Sequence, residues 1–324
     1  MSARTPPVVV AAAPAKVNLV LEVLGRRADG YHELWTWMLA LDLEDEVRVR
    51  RIDASEARGP AGTTRTSAAI VLTVSGPAAT PDVRADDSNL VFRAARAVLE
   101  RAGGANGVAL DLVKRIPSQS GLGGASADAA AAVLACERAL EFDLGAAERV
   151  ALLARLGSDC AFFAGAPAGL ALCGGRGEEL RATPSSVPSW HVVVLVPAVR
   201  CPTPAVYAEL ARRLSPLGEP PRLPSDWLAL PAAEARPFLL NRLETAALAV
   251  APELVRWRAL LDAIDGAHAR LTGSGSAFFA LFDERAEADA FGAAVEVRAR
   301  ELGLDLRGRW TARAAGRGAK VLER

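Results

Sequence analysis

Hydrophobic and polar residues alternate near the start of the chain. Every second residue from 17 to 23 is apolar, namely Val17, Leu19, Leu21 and Val23. Lys16, Asn18 and Glu22 fall between them. Because successive side chains of a strand point to opposite faces, this period of two predicts a half-buried strand over residues 15–24. It also places the side chains of Lys16 and Asn18 on the same face.

The rest of the chain changes repeatedly between strand and helix patterns. Further strands are predicted at 47–50, 70–74, 108–112, 192–196, 277–282 and 309–314. Helices are predicted from a cap at Asp87–Asn89 to Gly103, at 127–140, up to Leu156, from Thr203–Pro204, and at 236–250, 252–264 and 285–302. A turn is predicted at 25–30, a loop at 53–67 and a crossing between domains at 181–190. This order favours a two-domain α/β or α+β enzyme over a doubly wound sheet.

Composition narrows the class of protein. The 324 residues carry 38 basic and 38 acidic side chains, and 51% of them are hydrophobic. These values exclude wholesale disorder, and the zero net charge gives no reason to expect a nucleic acid or an acidic membrane as partner. No stretch approaches the roughly 20 apolar residues that a membrane helix needs. Four cysteines without metal-ligand spacing, and no signal-peptide pattern, indicate a reduced, cytoplasmic protein.

Two residue types are scarce. Lysine occurs only at Lys16, Lys114 and Lys320, and tyrosine only at Tyr31 and Tyr207. Where arginine supplies nearly all the positive charge, a retained lysine can mark a site that needs a compact ammonium group. For Lys320, chance retention is the better interpretation.

A glycine-rich segment at 117–128 lies between a predicted strand and a predicted helix. Such a turn presents backbone N–H groups, reinforced by the helix dipole, to an anion. The segment lacks the Gly-Lys-Ser/Thr ending of a P-loop. Ser126 stands where a dinucleotide fingerprint has its third glycine, although Glu141 has the spacing of its acidic residue. The half-exposed pattern of the preceding strand disfavours the dinucleotide alternative, which stays open.

Three motifs resemble those of the GHMP kinases, the superfamily of galactokinase, homoserine kinase, mevalonate kinase and phosphomevalonate kinase. In chain order they are APAKVNL at 13–19, PSQSGLGGASADAA at 117–130 and LTGSGS at 271–276. More narrowly, the 4-diphosphocytidyl-2-C-methyl-D-erythritol kinase family, of the non-mevalonate route to isoprenoid precursors, is similar at RADGYH (27–32) and LGSD (156–159), and more faintly at 201–204 and 241–244.

This resemblance implies the fold. An N-terminal nucleotide-binding α/β domain would comprise residues 1–167, and a ferredoxin-like α+β domain that binds the substrate would comprise residues 168–324. The whole is therefore expected to be an α+β, two-domain protein with its active site in the cleft between the domains.

The resemblance also implies ATP and Mg²⁺ as cofactors. The ATP phosphates would lie along the glycine-rich segment, at Pro117, Ser118, Gly121, Leu122, Gly123, Gly124, Ala125 and Ser126. Ser126 would also be the contact for Mg²⁺. Lys16 and Asp159 match the catalytic pair, with Asp159 as the base and Lys16 as the electrostatic partner that keeps it ionised. Without the resemblance, an N-cap for the apolar segment that follows is the simpler interpretation of Asp159.

The implied acceptor is the 2-hydroxyl of a cytidine diphosphate-linked methylerythritol. Tyr31 would lie beside the cytosine, His32 at its edge and Tyr207 on its opposite face. Further substrate contacts are implied at Asn18, Asn241, Thr272 and Gly273. The alternatives are ordinary core packing for the two tyrosines, a helix cap at Asn241 and a simple hairpin turn at 272–274.

Three positions depart from the family pattern. Gln119 and Ala125 stand where glycine is usual, and Ala127 stands where a second serine is usual. An added Cβ at the first two positions is expected to keep φ negative and to hinder the close approach of the backbone to phosphate. The lost hydroxyl at the third leaves Ser126 to serve as the phosphate or Mg²⁺ partner. Because of these departures, a non-catalytic binding protein with the kinase fold stays open as an alternative function. A mevalonate or homoserine kinase is the other alternative. A homodimeric assembly is also left open.

Overall fold

The computed structural model describes residues 6–53, 70–103, 106–213, 218–264 and 268–323, so the loop predicted at 53–67 lies, after Asp53, outside the described residues. The strands are β1 (Val9–Arg26), β2 (His32–Asp53), β3 (Ile70–Ser75), β4 (Asn106–Val113), β5 (Leu170–Gly174), β6 (Glu179–Ala182), β7 (His191–Pro197), β8 (Leu240–Asn241), β9 (Arg270–Leu271), β10 (Phe278–Phe282), β11 (Leu306–Arg313) and β12 (Lys320–Leu322). The helices are α1 (Leu90–Ala102), α2 (Gly124–Ala139), α3 (Ala146–Leu156), α4 (Cys160–Gly165), α5 (Thr203–Arg213), α6 (Ala232–Ala235), α7 (Glu244–Val250), α8 (Glu253–Ala263) and α9 (Arg285–Glu301).

The strands form two sheets. The first has the order β12–β1–β2–β4–β3, with β5 paired to β2, β6 paired to β5, and β8 paired to β1. Its long central strands, β1 and β2, run antiparallel, and the register shifts between Pro14 and Ala15 and again between Asn18 and Val20. Such irregularities bend a strand and re-aim its side chains, and here they bracket Lys16. The second sheet, of order β11–β7–β10–β9, is antiparallel throughout.

Apolar packing stacks these elements in four layers. Helices α1–α4 cover one face of the first sheet, where Phe92 and Phe162 join its core. The other face packs on the second sheet, with Val17 of β1 and Val194 of β7 in one apolar cluster. Helices α5, α7, α8 and α9 cover the far side of the second sheet. The centre of the first sheet, at β1, is therefore buried on both faces.

The prediction that β1 is half-buried is wrong. Lys16, Asn18 and Glu22 are only 3%, 3% and 4% exposed. Alternation reports two chemically different faces of a strand, but it does not show whether the polar face meets water. Here both faces are covered, and buried polar side chains must find partners inside the protein. The polar face of β1 therefore lines an internal polar site.

Helix α2 is the helix that packs most deeply against the first sheet. Its alanines at 127 and 129–132 are all completely buried. Because alanine loses almost no side-chain entropy and projects little, a helix rich in alanine can approach a sheet closely. This packing fixes the N-terminus of α2, and with it the end of the glycine-rich segment.

The helix predicted at 236–250 is wrong in its first half. Residues 236–238 form a single 3₁₀ turn, β8 pairs in parallel with Val20 and Leu21 of β1, and α7 starts only at Glu244. Pro237 lacks the N–H that a continuing helix needs, and Asn241 binds the backbone with its side chain instead. The other predicted helices and strands are present, most with ends within about three residues of the prediction. Two strands are much longer than predicted: the one predicted at 15–24 is Val9–Arg26, and the one predicted at 47–50 is His32–Asp53.

The boundary between 167 and 168 stays a prediction, and the sheet pairing bears on it. β5 and β6 follow residue 168 but extend the first sheet, and β12 pairs with β1 at the end of the chain. We propose that the division lies nearer the coil at 183–190, where a crossing was predicted, with 320–322 returning to the first sheet. Within the described residues, no helix combines the length and the apolar character needed to cross a bilayer.

Candidate active site

Lys16 connects β1 to the loops around it. Its backbone N–H donates to the carbonyl oxygen of Leu122 at 2.8 Å. Its side-chain Nζ donates to Asn18 Oδ1 at 2.6 Å and lies 3.3 Å from Asp159 Oδ2. The common face expected for Lys16 and Asn18 is therefore present, and the structure brings Lys16 and Asp159 together.

Asn18 links the first and third motifs. Its backbone N–H donates to Thr272 Oγ1 at 2.9 Å, and its Oδ1 accepts from the backbone N–H of Gly273 at 3.0 Å. Its Nδ2 donates to Thr36 Oγ1 at 2.9 Å. These bonds hold the ammonium of Lys16 and the third motif in one fixed arrangement.

Asp159 immediately precedes the short helix α4. It occupies the N-cap position, but its side chain makes no capping hydrogen bond, so capping does not account for it. The side chain is 29% exposed. A Cβ on Gly177, whose φ is +120°, would come within 3.1 Å of Asp159 Oδ1, so this glycine permits close packing. Asp159 thus presents a carboxylate beside an ammonium, with an open side where a hydroxyl can approach.

The glycine-rich segment lines a cavity of about 320 Å³, and every residue from Pro117 to Ser126 contributes to its wall. Helix α2 begins at Gly124, and the N–H of Ser126 donates to the carbonyl oxygen of Gly123 at 3.0 Å, whereas the N–H groups of Gly124 and Ala125 have no acceptor within the helix. These groups and the positive end of the helix dipole suit a phosphate. The eight residues predicted to bind ATP phosphate therefore surround one cavity at a helix N-terminus.

The departures from the family pattern have separate structural outcomes. The expectation that a Cβ keeps φ negative at Gln119 is wrong, because Gln119 adopts φ +52° and its Nε2 donates to Asp82 Oδ2 at 3.1 Å. Ala125 lies in the first turn of α2 and is exposed. Ala127 is completely buried in the core and does not line the cavity, which leaves Ser126 as the hydroxyl at this point.

The third motif packs directly on the second. A Cβ on Gly121, whose φ is +83°, would lie 2.2 Å from the carbonyl oxygen of Thr272, so the two loops touch only because that position is glycine. Thr272 is completely buried, and Ser274 Oγ lies 2.6 Å from Thr203 Oγ1 at the start of α5. The motif is also the turn between β9 and β10, which agrees with the hairpin interpretation. Gly273 and Ser274 line a cavity, whereas Thr272 lines neither of the two cavities at this site.

A second cavity, of about 250 Å³, adjoins the first. Gly121, Gly123 and Ser126 line both of them. The second is also lined by Lys16, Asn18, Asp159, Gly273 and Tyr207. A phosphoryl donor held on the glycine-rich segment and a hydroxyl at Asp159 would therefore meet at the junction of the two cavities.

Tyr207 lines the second cavity, and His32 packs against Tyr207 without lining the cavity itself. The rings of His32 and Tyr207 pack with their centroids 5.0 Å apart. Burial, together with the charge of Arg26, lowers the pKa of His32, and burial raises the pKa of the Tyr207 phenol. His32 Nε2 is buried and has no hydrogen-bond partner among the described residues. A neutral imidazole with one unpaired nitrogen suits the polar edge of a ligand.

Tyr31 and Asn241 are placed differently from expectation. Tyr31 is 54% exposed and does not line the second cavity, and the guanidinium of Arg176 lies 4.7 Å from its ring centroid. Asn241 also lies outside both cavities. Its Nδ2 donates to the carbonyl oxygens of Leu271 and Gly273, and its Oδ1 accepts from the N–H of Leu243. Asn241 therefore supports the third motif from behind.

Sequence reasoning missed a buried ionic cluster beneath the glycine-rich segment. The ammonium of Lys114 donates to Asp45 and, at 2.7 Å, to Asp128 Oδ2, and all three side chains are almost inaccessible. Burial opposes the charge of Lys114, but the two carboxylates outweigh it and raise its pKa. Asp128 Oδ1 has no partner among the described residues, and Lys114 and Asp128 line the first cavity. The scarcity of lysine was the one signal for this cluster.

Comparison with known proteins gives consistent matches. The profile of the GHMP kinases N-terminal domain matches residues 89–171, and that of the GHMP kinases C-terminal domain matches 227–298. A 4-diphosphocytidyl-2-C-methyl-D-erythritol kinase of Cereibacter sphaeroides (strain KD131 / KCTC 12085) is 38% identical over 86% of this chain and 93% of its own length. One of Salinispora arenicola (strain CNS-205) is 38% identical over 95% of this chain and 92% of its own. A crystal structure of 4-(cytidine 5'-diphospho)-2C-methyl-D-erythritol kinase superposes with a TM-score of 0.71 at 33% identity, covering 94% and 98% of the two chains.

Proposed function

The chain belongs to the 4-diphosphocytidyl-2-C-methyl-D-erythritol kinase family of GHMP kinases and is an ATP-dependent small-molecule kinase, and we propose that it phosphorylates the 2-hydroxyl of 4-diphosphocytidyl-2-C-methyl-D-erythritol. The observation that carries this proposal is the 3.3 Å pair of Lys16 Nζ and Asp159 Oδ2 at the junction of the two cavities. The predicted cytoplasmic location and the homodimer stay predictions.

In this proposal Asp159 orients the acceptor hydroxyl and accepts its proton. Lys16 stabilises the negative charge that develops on the group being transferred. Asn18 and Thr272 keep Lys16 in place through the bonds described above. The work of the protein is then mainly alignment and charge neutralisation, as phosphoryl transfer requires.

The donor side fits ATP. Backbone N–H groups at the start of α2 and the hydroxyl of Ser126 would hold its phosphates, and the left-handed glycines let the chain approach them closely. No group of three or more histidine, cysteine or carboxylate side chains within the described residues is placed to hold a metal ion. The hydroxyl of Ser126, which lines the first cavity, would be the protein contact of Mg²⁺, an ion that binds mostly through substrate phosphates and would neutralise their charge there.

The acceptor side fits a nucleobase. His32 offers an unpaired ring nitrogen beside the Tyr207 ring, and Tyr31 stands at the rim. Mevalonate and homoserine carry no base to place beside Tyr207, so they leave these features unexplained. Lys16 and Asp159 are both present and in contact, which favours a catalytic role for the protein over a purely binding one.

Regiochemistry tests the proposal. Purified protein with Mg·ATP should phosphorylate 4-diphosphocytidyl-2-C-methyl-D-erythritol and leave mevalonate and homoserine unchanged in a coupled ADP assay. Because C2 of the acceptor carries a methyl group and no hydrogen, the new phosphorus should show no three-bond coupling to a carbon-bound proton in its ³¹P spectrum. A coupled signal would mean that another hydroxyl is phosphorylated, and binding without turnover would reject the kinase reaction.

The role of Asp159 has its own test. Asp159→Asn keeps the shape of the side chain and removes the proton acceptor, so kcat should fall by about 10²- to 10⁴-fold with the fold intact. Asp262→Asn is the matched control, since Asp262 is 65% exposed on α8 and, among the residues that the structure describes, pairs with Arg258 alone. Full activity of Asp159→Asn would exclude Asp159 as the base, and an unfolded variant would instead indicate a structural role.

A further inference from the structure

A glycine-rich hairpin between β5 and β6 forms one wall of the second cavity. The segment Gly174–Gly177 turns the chain, and the carbonyl oxygen of Gly175 accepts from the N–H of Leu34 at 2.7 Å. The N–H of Gly175 donates to Glu33 Oε1 at 3.2 Å. The hairpin is therefore fixed against the part of β2 that follows Tyr31 and His32.

Two consecutive residues of this hairpin lie beside Tyr31 and beside Asp159. The guanidinium of Arg176 lies 4.7 Å from the ring centroid of Tyr31, which stands outside the cavity. Gly177 packs against Asp159, where the hydroxyl would react. Arg176 itself lines the cavity together with Lys16, Asp159 and Tyr207. A ligand with its base at Tyr207 and its alcohol at Asp159 would therefore share a cavity whose wall includes Arg176.

The hydrogen bonds of Arg176 leave part of its guanidinium available. Nε reaches Glu178 Oε1 at 3.4 Å, and Nη2 donates to the carbonyl oxygen of Ala154 at 3.2 Å. Nη1 has no hydrogen-bond partner among the described residues. With the side chain 26% exposed, the guanidinium is anchored on one side and reachable on another.

We propose that Arg176 is a specificity-determining residue that binds the diphosphate joining the cytidine to the methylerythritol unit. This inference rests on the proposed function. A guanidinium matches the geometry of phosphate oxygens, and anchoring by Glu178, Ala154 and Tyr31 reduces the entropy lost on binding. Lys16 is already engaged by Asp159 and Asn18, so Arg176 supplies the positive charge for the middle of the substrate.

A ladder of ligands tests this role. Binding of cytidine, cytidine monophosphate and cytidine diphosphate is measured by calorimetry with a non-hydrolysable ATP analogue at saturation, so that the nucleotide site is filled. In the wild type, affinity should rise along the ladder. In Arg176→Ala the gain from cytidine to cytidine diphosphate should shrink by about tenfold to one-hundredfold, while cytidine itself binds nearly as before. Arg176→Lys should restore part of the gain.

Arg181→Ala is the matched control, because it removes the same charge from the same hairpin but does not line the cavity. Arg181→Ala should leave the gain in affinity from cytidine to cytidine diphosphate unchanged. Kinetically, Arg176→Ala should raise KM for the cytidine-linked substrate and leave KM for ATP unchanged. If Arg176→Ala weakened the binding of cytidine and of cytidine diphosphate equally, or if Arg181→Ala had the same effect as Arg176→Ala, this inference would be overturned while the proposed function would stand. A wild type that binds no member of the ladder would overturn the proposed function and this inference with it.

Discussion

Gly123 makes room for the side chain of Lys16, and replacing it by alanine should weaken the pair of Lys16 and Asp159. A Cβ on Gly123 would lie 2.8 Å from Lys16 Cγ and 3.1 Å from its Cε. Carbon atoms pack best at about 3.5–4.0 Å, so the lysine must retreat by about 1 Å. Phe163 Cζ, at 3.2 Å from the same Cβ, restricts the space on the other side.

The expected loss follows from this displacement. At an effective dielectric constant of about 20, charges separated by the observed 3.3 Å attract by about 5 kcal/mol. At about 4.3 Å the attraction falls to about 3.9 kcal/mol, a loss of about 1.2 kcal/mol, which corresponds to nearly tenfold in rate. The left-handed backbone of Gly123, with φ +71°, adds about 1–2 kcal/mol of strain to the folded state of an alanine variant.

Gly303 separates the two effects. Its φ is +63°, and an added Cβ would meet nothing within 4 Å, so Gly303→Ala carries the backbone strain without the steric contact. Gly123→Ala should lose at least as much stability in thermal unfolding as Gly303→Ala, and only Gly123→Ala should lose kcat, by nearly tenfold, in the coupled ADP assay. Equal kcat values for the two variants would refute the reasoning. A rise in KM for ATP alone would mean that Gly123 serves the phosphates and not Lys16.

Two further predictions concern buried titrating groups. Burial raises the pKa of all four thiols, to about 12 for Cys136, Cys160 and Cys173 and to about 11 for Cys201. A colorimetric disulfide reagent at pH 8 should therefore label almost no cysteine in the native protein and four in denaturant, and one rapidly labelled native thiol would contradict this. Burial, aided by the charge of Asp45 and opposed by Lys114, raises the pKa of Asp128 well above its ordinary value of 3.8. The contribution of Asp128 to the free energy of unfolding is therefore complete below pH 3.8 and is lost as the pH rises through the raised pKa. In urea unfolding, the free energy of unfolding of Asp128→Asn minus that of the wild type should increase from about pH 4 to pH 7. A constant or falling difference would show that Asp128 is ionised throughout this range.

Local patterns were sufficient where neighbouring residues decide the structure. The alternation in β1 and the cap at Asn89, whose side chain accepts from the N–H of Val91, were both readable in sequence. The glycine-rich turn before α2 was readable for the same reason, since backbone freedom and helix ends are local properties.

Long-range packing decided the rest. Nothing near Lys16 indicates that the glycine-rich segment, α4 and the third motif cover the polar face of β1, so the burial of that face could not be predicted. The contact of Lys16 with Asp159 came from resemblance alone, because the two residues are far apart in sequence. Arg176 gave no signal in the sequence, and the cluster around Lys114 gave only the scarcity of lysine, since the partners of both come from other strands and helices. Asn241 was assigned to the substrate because its sequence does not reveal that β8 holds it behind the third motif.

The pairing of β12 with β1 has a consequence for synthesis of the chain. Val10–Ala12, at the start of the strand that carries Lys16, pair with Lys320–Leu322. A ribosome therefore makes one strand of this pair about 300 residues before the other. Until Lys320–Leu322 emerge, this edge of β1 keeps unpaired N–H and C=O groups that can recruit another strand. A nascent chain stalled before residue 320 is thus expected to depend on chaperones, although both cavities would already be encoded in it.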